Sequence, residues 1–147
     1  MKIAPITLVA LILSSGLARA DVYAETSCYS MVSVGNSSKA VQLALRIYID
    51  RDLNKEIGAF VQYDGSKKTI PLVLAAYVNT DTDAPDLGNY KISRVKIVDK
   101  KVAGEYLFVQ AGSGIRQGKY VKYTNARTGK VVTFQYSGDD PSCRINH

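Results

Sequence analysis

Val41-Gln42-Leu43-Ala44-Leu45-Arg46-Ile47-Tyr48-Ile49-Asp50 is the stretch that decides the fold. Val41, Leu43, Leu45, Ile47 and Ile49 alternate with Gln42, Ala44, Arg46, Tyr48 and Asp50. A period of two puts the branched residues on one face of an extended chain. A helix would need its apolar residues three and four apart, and they are not so placed. The segment is therefore a half-buried strand.

Seven further strands follow from the same pattern. Ser27–Val34 precedes the decisive stretch, and Ile57–Tyr63 follows the charged turn Arg51–Glu56. Asp64-Gly65 is a hairpin signal leading to Thr69–Val78. After the polar stretch Asn79–Asn89 come Tyr90–Val98, Glu105–Ala111, Lys119–Thr124 and Lys130–Tyr136. Such short connections force antiparallel pairing. The fold class is all-β with about eight antiparallel strands, a small barrel or a two-sheet sandwich. A barrel is preferred because closure removes exposed edges.

Two cysteines, Cys28 and Cys143, lie near the two ends of this β region. An even count in an exported chain reads as one disulfide. It would bring the first and last strands together and contribute roughly 4–5 kcal/mol through the long loop it closes. The export signal is residues 1–20: Met1-Lys2, an apolar run from Ile3 to Leu13, and Ala18-Arg19-Ala20 before the expected cleavage. The run is too short for a membrane anchor, which needs roughly 20 apolar residues. Residues 21–147 are then a single β-rich domain, expected in a bacterial periplasm.

Charge is uneven along the chain. Residues 91–130 carry 10 basic and 2 acidic side chains, whereas 21–90 carry 6 and 9. An acidic partner is expected to meet the basic segment. The sole His is His147, which leaves no Ser-His-Asp or Cys-His pair and no His-based zinc site. Asp81, Asp83 and Asp86 cluster in one loop, but Ala84-Pro85 and the lack of a following Glu break the helix-loop-helix calcium pattern. They read as turn formers. Gly112-Ser113-Gly114 with Gly118 leads into a strand and not a helix, so it lacks the helix N-terminus that cradles phosphate. No catalytic residue, metal or cofactor is expected. Lys119-Tyr120-Val121-Lys122-Tyr123 interleaves cations and aromatics; Tyr120 and Lys122 share one face, and the other face is core. An exported chain rarely meets nucleic acid, so the exposed face is read as a protein contact.

Ala111-Gly112-Ser113-Gly114-Ile115-Arg116, followed by Gly118 and the strand Lys119–Tyr123, resembles the signature of bacterial periplasmic inhibitors of c-type lysozyme. That family carries a Ser-Gly-x-Arg/Lys-Tyr loop, then a Gly and an aromatic strand. The likeness extends over about thirty residues, the cysteine layout and the export signal. It implies an eight-stranded barrel with a disulfide from an early Cys to one near the C-terminus. It also implies inhibition by occlusion, with Ser113 hydrogen-bonded to a catalytic carboxylate and Arg116 as the basic residue of the loop. Gln117 stands where the motif has Tyr, and Asn125 where the family places a cleft-entering Lys, with Lys122 or Arg127 as substitutes.

The expected function is thus a periplasmic inhibitor or immunity protein that blocks a cell-wall hydrolase with an acidic cleft. Ser113, Gly114, Arg116, Tyr120, Lys122 and Arg127 would form the contact. A barrel that binds a small ligand or glycan in its interior is the alternative.

Overall fold

The computed structural model describes residues 21–31, 41–80, 89–111, 118–139 and 143. Eight strands run in sequence: β1 (Val22–Met31), β2 (Gln42–Asp50), β3 (Lys55–Tyr63), β4 (Thr69–Asn79), β5 (Tyr90–Val98), β6 (Lys101–Gln110), β7 (Tyr120–Asn125) and β8 (Val131–Asp139). Each pairs antiparallel with the next, and β1 pairs with β8, closing an up-and-down barrel. The barrel form of the expected fold is the one adopted, and the described residues contain no helix.

Three strand starts lie earlier than the hydrophobic pattern suggests, β3 by two residues at Lys55 and two others by more. β6 begins at Lys101 because Asp99-Lys100 alone make the turn, both at positive φ (50° and 63°), between the paired residues Val98 and Lys101. That is the primed two-residue hairpin, whose twist matches the strands. β1 begins at Val22 and pairs with β2 as far as Asp50. Its first half lacks apolar alternation because the interior it faces is polar, as described below.

The decisive stretch points Leu43, Leu45 and Ile47 inward. Leu43 and Leu45 are buried with Tyr29, Val61, Leu72, Tyr106, Phe108, Val121 and Phe134 in one core. Apolar side chains make the core, while Arg46, Lys91, Glu105 and Lys122 lie on outward positions of the strands.

Aromatic rings dominate the lower core. Tyr63 and Tyr106 share a hydroxyl hydrogen bond of 2.9 Å, and Tyr123 packs on Tyr106 with ring centroids 4.6 Å apart. Burial pushes the phenols of Tyr29, Tyr63 and Tyr106 above their ordinary range. Gly104 makes room for Tyr123: a Cβ there would lie 2.6 Å from Cε2 of that ring.

Cys28 and Cys143 form the disulfide, with Cα atoms 5.4 Å apart. The bond is the one expected, and the first and last strands stand side by side. β1 and β8 are already joined by their backbone ladder, and Cys28 points to the outside of the barrel, opposite Ala44. The bond fastens Cys143, beyond the end of β8, over the buried Cys28 and Ala44.

Candidate functional site

The antiparallel order gives the barrel two unlike ends. One end holds the tight turns β3–β4, β5–β6 and β7–β8. The other holds the start of β1, the β2–β3 turn and the connections β4–β5 and β6–β7.

The segment 112–117, with Ser113, Gly114 and Arg116, belongs to the β6–β7 connection and lies outside the described residues, as do Asp81, Asp83 and Asp86. Its two flanks are described. Gly118 has φ +82°, and a Cβ on it would sit 2.2 Å from the carbonyl oxygen of Ala111. Only glycine permits that approach, so the flanking residues Ala111 and Gly118 are pinched together.

Tyr120 and Lys122 stand on the outer face of β7, with the Lys122 ammonium 5.6 Å from the centre of the Tyr120 ring. Val121 is fully buried and Tyr123 is half-buried against the core, so the two faces of this strand divide as its pattern predicts. Arg127 is elsewhere. It lies in the β7–β8 turn, a strand length of about 20 Å from the base of the 112–117 segment. Asn125, at the position where the family has a Lys, holds that turn: its Oδ1 accepts from the backbone N–H groups of Arg127 (3.0 Å) and Thr128 (3.1 Å).

The basic segment is divided in the same way. Lys100, Lys101, Arg127 and Lys130 are exposed at the tight-turn end, joined there by Lys67 and Lys68 of the β3–β4 turn. Arg94 is not on the surface at all: its side chain is 1% exposed inside the barrel. The formal charge of the segment therefore overstates the field at the 112–117 end.

That end contains a cavity of about 480 Å³ inside the barrel. Leu45, Ile47, Ile92 and Phe108 form its apolar wall and floor, and Glu25, Ser27, Tyr29, Tyr90, Arg94 and Gln110 supply polar groups. Arg94 reaches from β5 to Glu56 on β3, donating from Nε to Oε1 at 3.2 Å and from Nη2 to Oε2. Its guanidinium carbon is 5.2 Å from the centre of the Phe108 ring. Tyr90 donates its hydroxyl to Oε1 of Gln110 at 2.9 Å. Burial raises the Tyr29 and Tyr90 phenols, so both stay protonated as hydrogen-bonding groups. Sequence reasoning missed Arg94 and Glu56, because a lone Arg at an inward strand position is indistinguishable from an outward one until register is known.

Among the described residues no three of His, Cys, Asp and Glu gather into a group that could hold a metal. No helix there is long and apolar enough to cross a membrane. Compared with known protein families, curated proteins and solved structures, the chain matches none.

Proposed function

We propose that the protein is an exported, non-enzymatic binding protein that blocks a cell-wall hydrolase with an acidic cleft. The target class is a lysozyme or a peptidoglycan-hydrolase toxin, and the 112–117 segment enters the cleft. The observation that carries this reading is the sequentially closed eight-stranded barrel with its Cys28–Cys143 bond. It is the framework that the Ser113–Arg116 resemblance implies. The pinched Ala111–Gly118 base supports it further, since a segment anchored at both flanks loses less entropy on docking.

In this reading Tyr120 and Lys122 flank the contact, and Arg127 at the far end stands outside it. The test is inhibition of a panel of lysozymes and wall hydrolases by the purified, oxidised protein. Arg116→Glu and Lys122→Glu should each weaken inhibition of the captured enzyme by about tenfold or more, the scale of a charged interface anchor. Arg127→Glu should leave it unchanged. Undiminished inhibition by folded Arg116→Glu protein, or loss only in Arg127→Glu, rejects this site.

The interior cavity favours a second reading, in which the barrel holds a small ligand or glycan. Native mass spectrometry of the purified protein tests it. A stoichiometric small molecule retained at gentle ionisation supports that reading, and an empty barrel in every preparation and in ligand soaks rejects it.

A further inference from the structure

The β5–β6 hairpin outruns its neighbours. β5 pairs with β4 only as far as Val95, and β6 pairs with β7 only from Gly104. Among the described residues, Lys96–Val98 and Lys101–Val102 therefore pair with no strand outside their own ribbon. The ribbon projects about 10 Å beyond the ladder of β4 and β5, three residues of strand rise. Its Ile97, Val98 and Val102 are 48%, 44% and 54% exposed, on either side of the Asp99-Lys100 turn. None of the three belongs to the core. Their apolar surface gains hydrophobic free energy only when something outside the barrel covers it.

The surroundings of the hairpin are basic. The backbone N–H of Ala126 donates to the carbonyl of Ala103 at 3.2 Å, which sets the β7–β8 turn against the hairpin's base. A groove of about 350 Å³ lies between the two, with Lys96 and Arg127 among its lining residues and no carboxylate. The three tight turns, residues 64–68, 99–101 and 126–130, carry Lys67, Lys68, Lys100, Lys101, Arg127 and Lys130 against Asp64 and Asp99. Among the described residues none of these cations forms an ion pair. The excess charge faces solvent and selects an anionic partner. A nucleic acid would be met by exposed aromatic rings for its bases, and these turns carry none. Aliphatic side chains set among lysines suit instead the boundary between charged headgroups and acyl chains.

We propose that the tight-turn end of the barrel docks on an anionic lipid bilayer, the Ile97–Val102 tip entering the headgroup layer and the surrounding cations meeting lipid phosphates. This end lies opposite Ala111 and Gly118, so the inference goes beyond the proposed function and does not rest on it. A barrel standing on its tight turns keeps the other end free for a partner.

The test is flotation of the oxidised protein with vesicles of phosphatidylcholine alone, or of equal parts phosphatidylcholine and phosphatidylglycerol. The protein should float with the mixed vesicles and not with the neutral ones, and binding should weaken as salt rises. Lys100→Glu combined with Lys101→Glu should weaken it about tenfold or more. Ile97→Ser combined with Val102→Ser leaves the charge unchanged and should weaken it about fivefold. All four positions are exposed, so both variants should keep the fold. Lys91→Glu, at an exposed position near the other end of β5, should bind like the parent protein. No flotation with the mixed vesicles, equal flotation with neutral ones, or equal weakening by Lys91→Glu would overturn the proposal. Loss on charge reversal, with no effect of replacing Ile97 and Val102, would show a surface for an acidic protein or a soluble polyanion and reject the bilayer.

Discussion

Two glycines at strand positions behave oppositely because of what surrounds them. At Gly104 an added methyl meets the Tyr123 ring at 2.6 Å, and that ring is held by its packing on Tyr106. Gly104→Ala should destabilise the barrel by about 1–3 kcal/mol, the usual cost of overpacking, as read by urea denaturation. At Gly58 nothing lies within 4 Å of the added atom. Gly58→Ala should be neutral or stabilise by about 0.5–1 kcal/mol through the lost backbone freedom of the unfolded chain. An equal loss in both variants would show that the Tyr123 contact is not what matters. Nothing in the sequence separates these glycines, since both stand next to apolar residues in strands. The same limit hid Arg94, whereas Val121 and Lys122 were legible because their strand alternates cleanly.

Among the elements β4 is the least integrated. β3 pairs with it only from Ala59–Gln62 to Thr69–Leu72, although β5 pairs with it as far as Asn79. Among the described residues one edge of β4 has no neighbouring strand from Val73 onward, and Val73, Leu74, Tyr77 and Val78 are all about half exposed or more. The seam is bridged by a side chain from β5, the Arg94 pair with Glu56. Backbone groups facing water on one side open easily. Amides of residues 73–79 that point away from β5 should exchange with solvent far faster than those of Thr69–Leu72. Uniform protection along β4 in a hydrogen-exchange measurement would contradict the split seam. The run Val73–Val78 looks like any buried strand in the sequence; its exposure follows from the β3 ladder stopping at the Ala59–Leu72 pair.

For the whole molecule, the buried phenols set the alkaline limit of stability. Tyr29, Tyr63 and Tyr106 are all raised above the ordinary phenol value of 10.0, burial being the leading cause. Below that value both folded and unfolded chains keep these protons, so stability is unaffected by them. Above it the unfolded chain releases protons that the folded chain retains, and stability falls as pH rises toward the folded values. Unfolding free energy should be level through neutral pH and decline beyond pH 10, with Tyr106→Phe reducing the slope. A decline of equal slope in Tyr106→Phe would assign the effect elsewhere.

Period-two alternation, hairpin residues and the paired cysteines by themselves determined eight antiparallel strands and the disulfide, leaving barrel and sandwich both open. They did so because these features are local or follow from closing a chain of short connections. Tertiary structure alone decided that Cys143 is fastened to the outer wall, that Arg127 lies at the opposite end from Ala111 and Gly118, and that Arg94 faces the inside of the barrel. Each of these depends on strand register and barrel closure, which bring together residues far apart in the chain. No window of sequence contains that information.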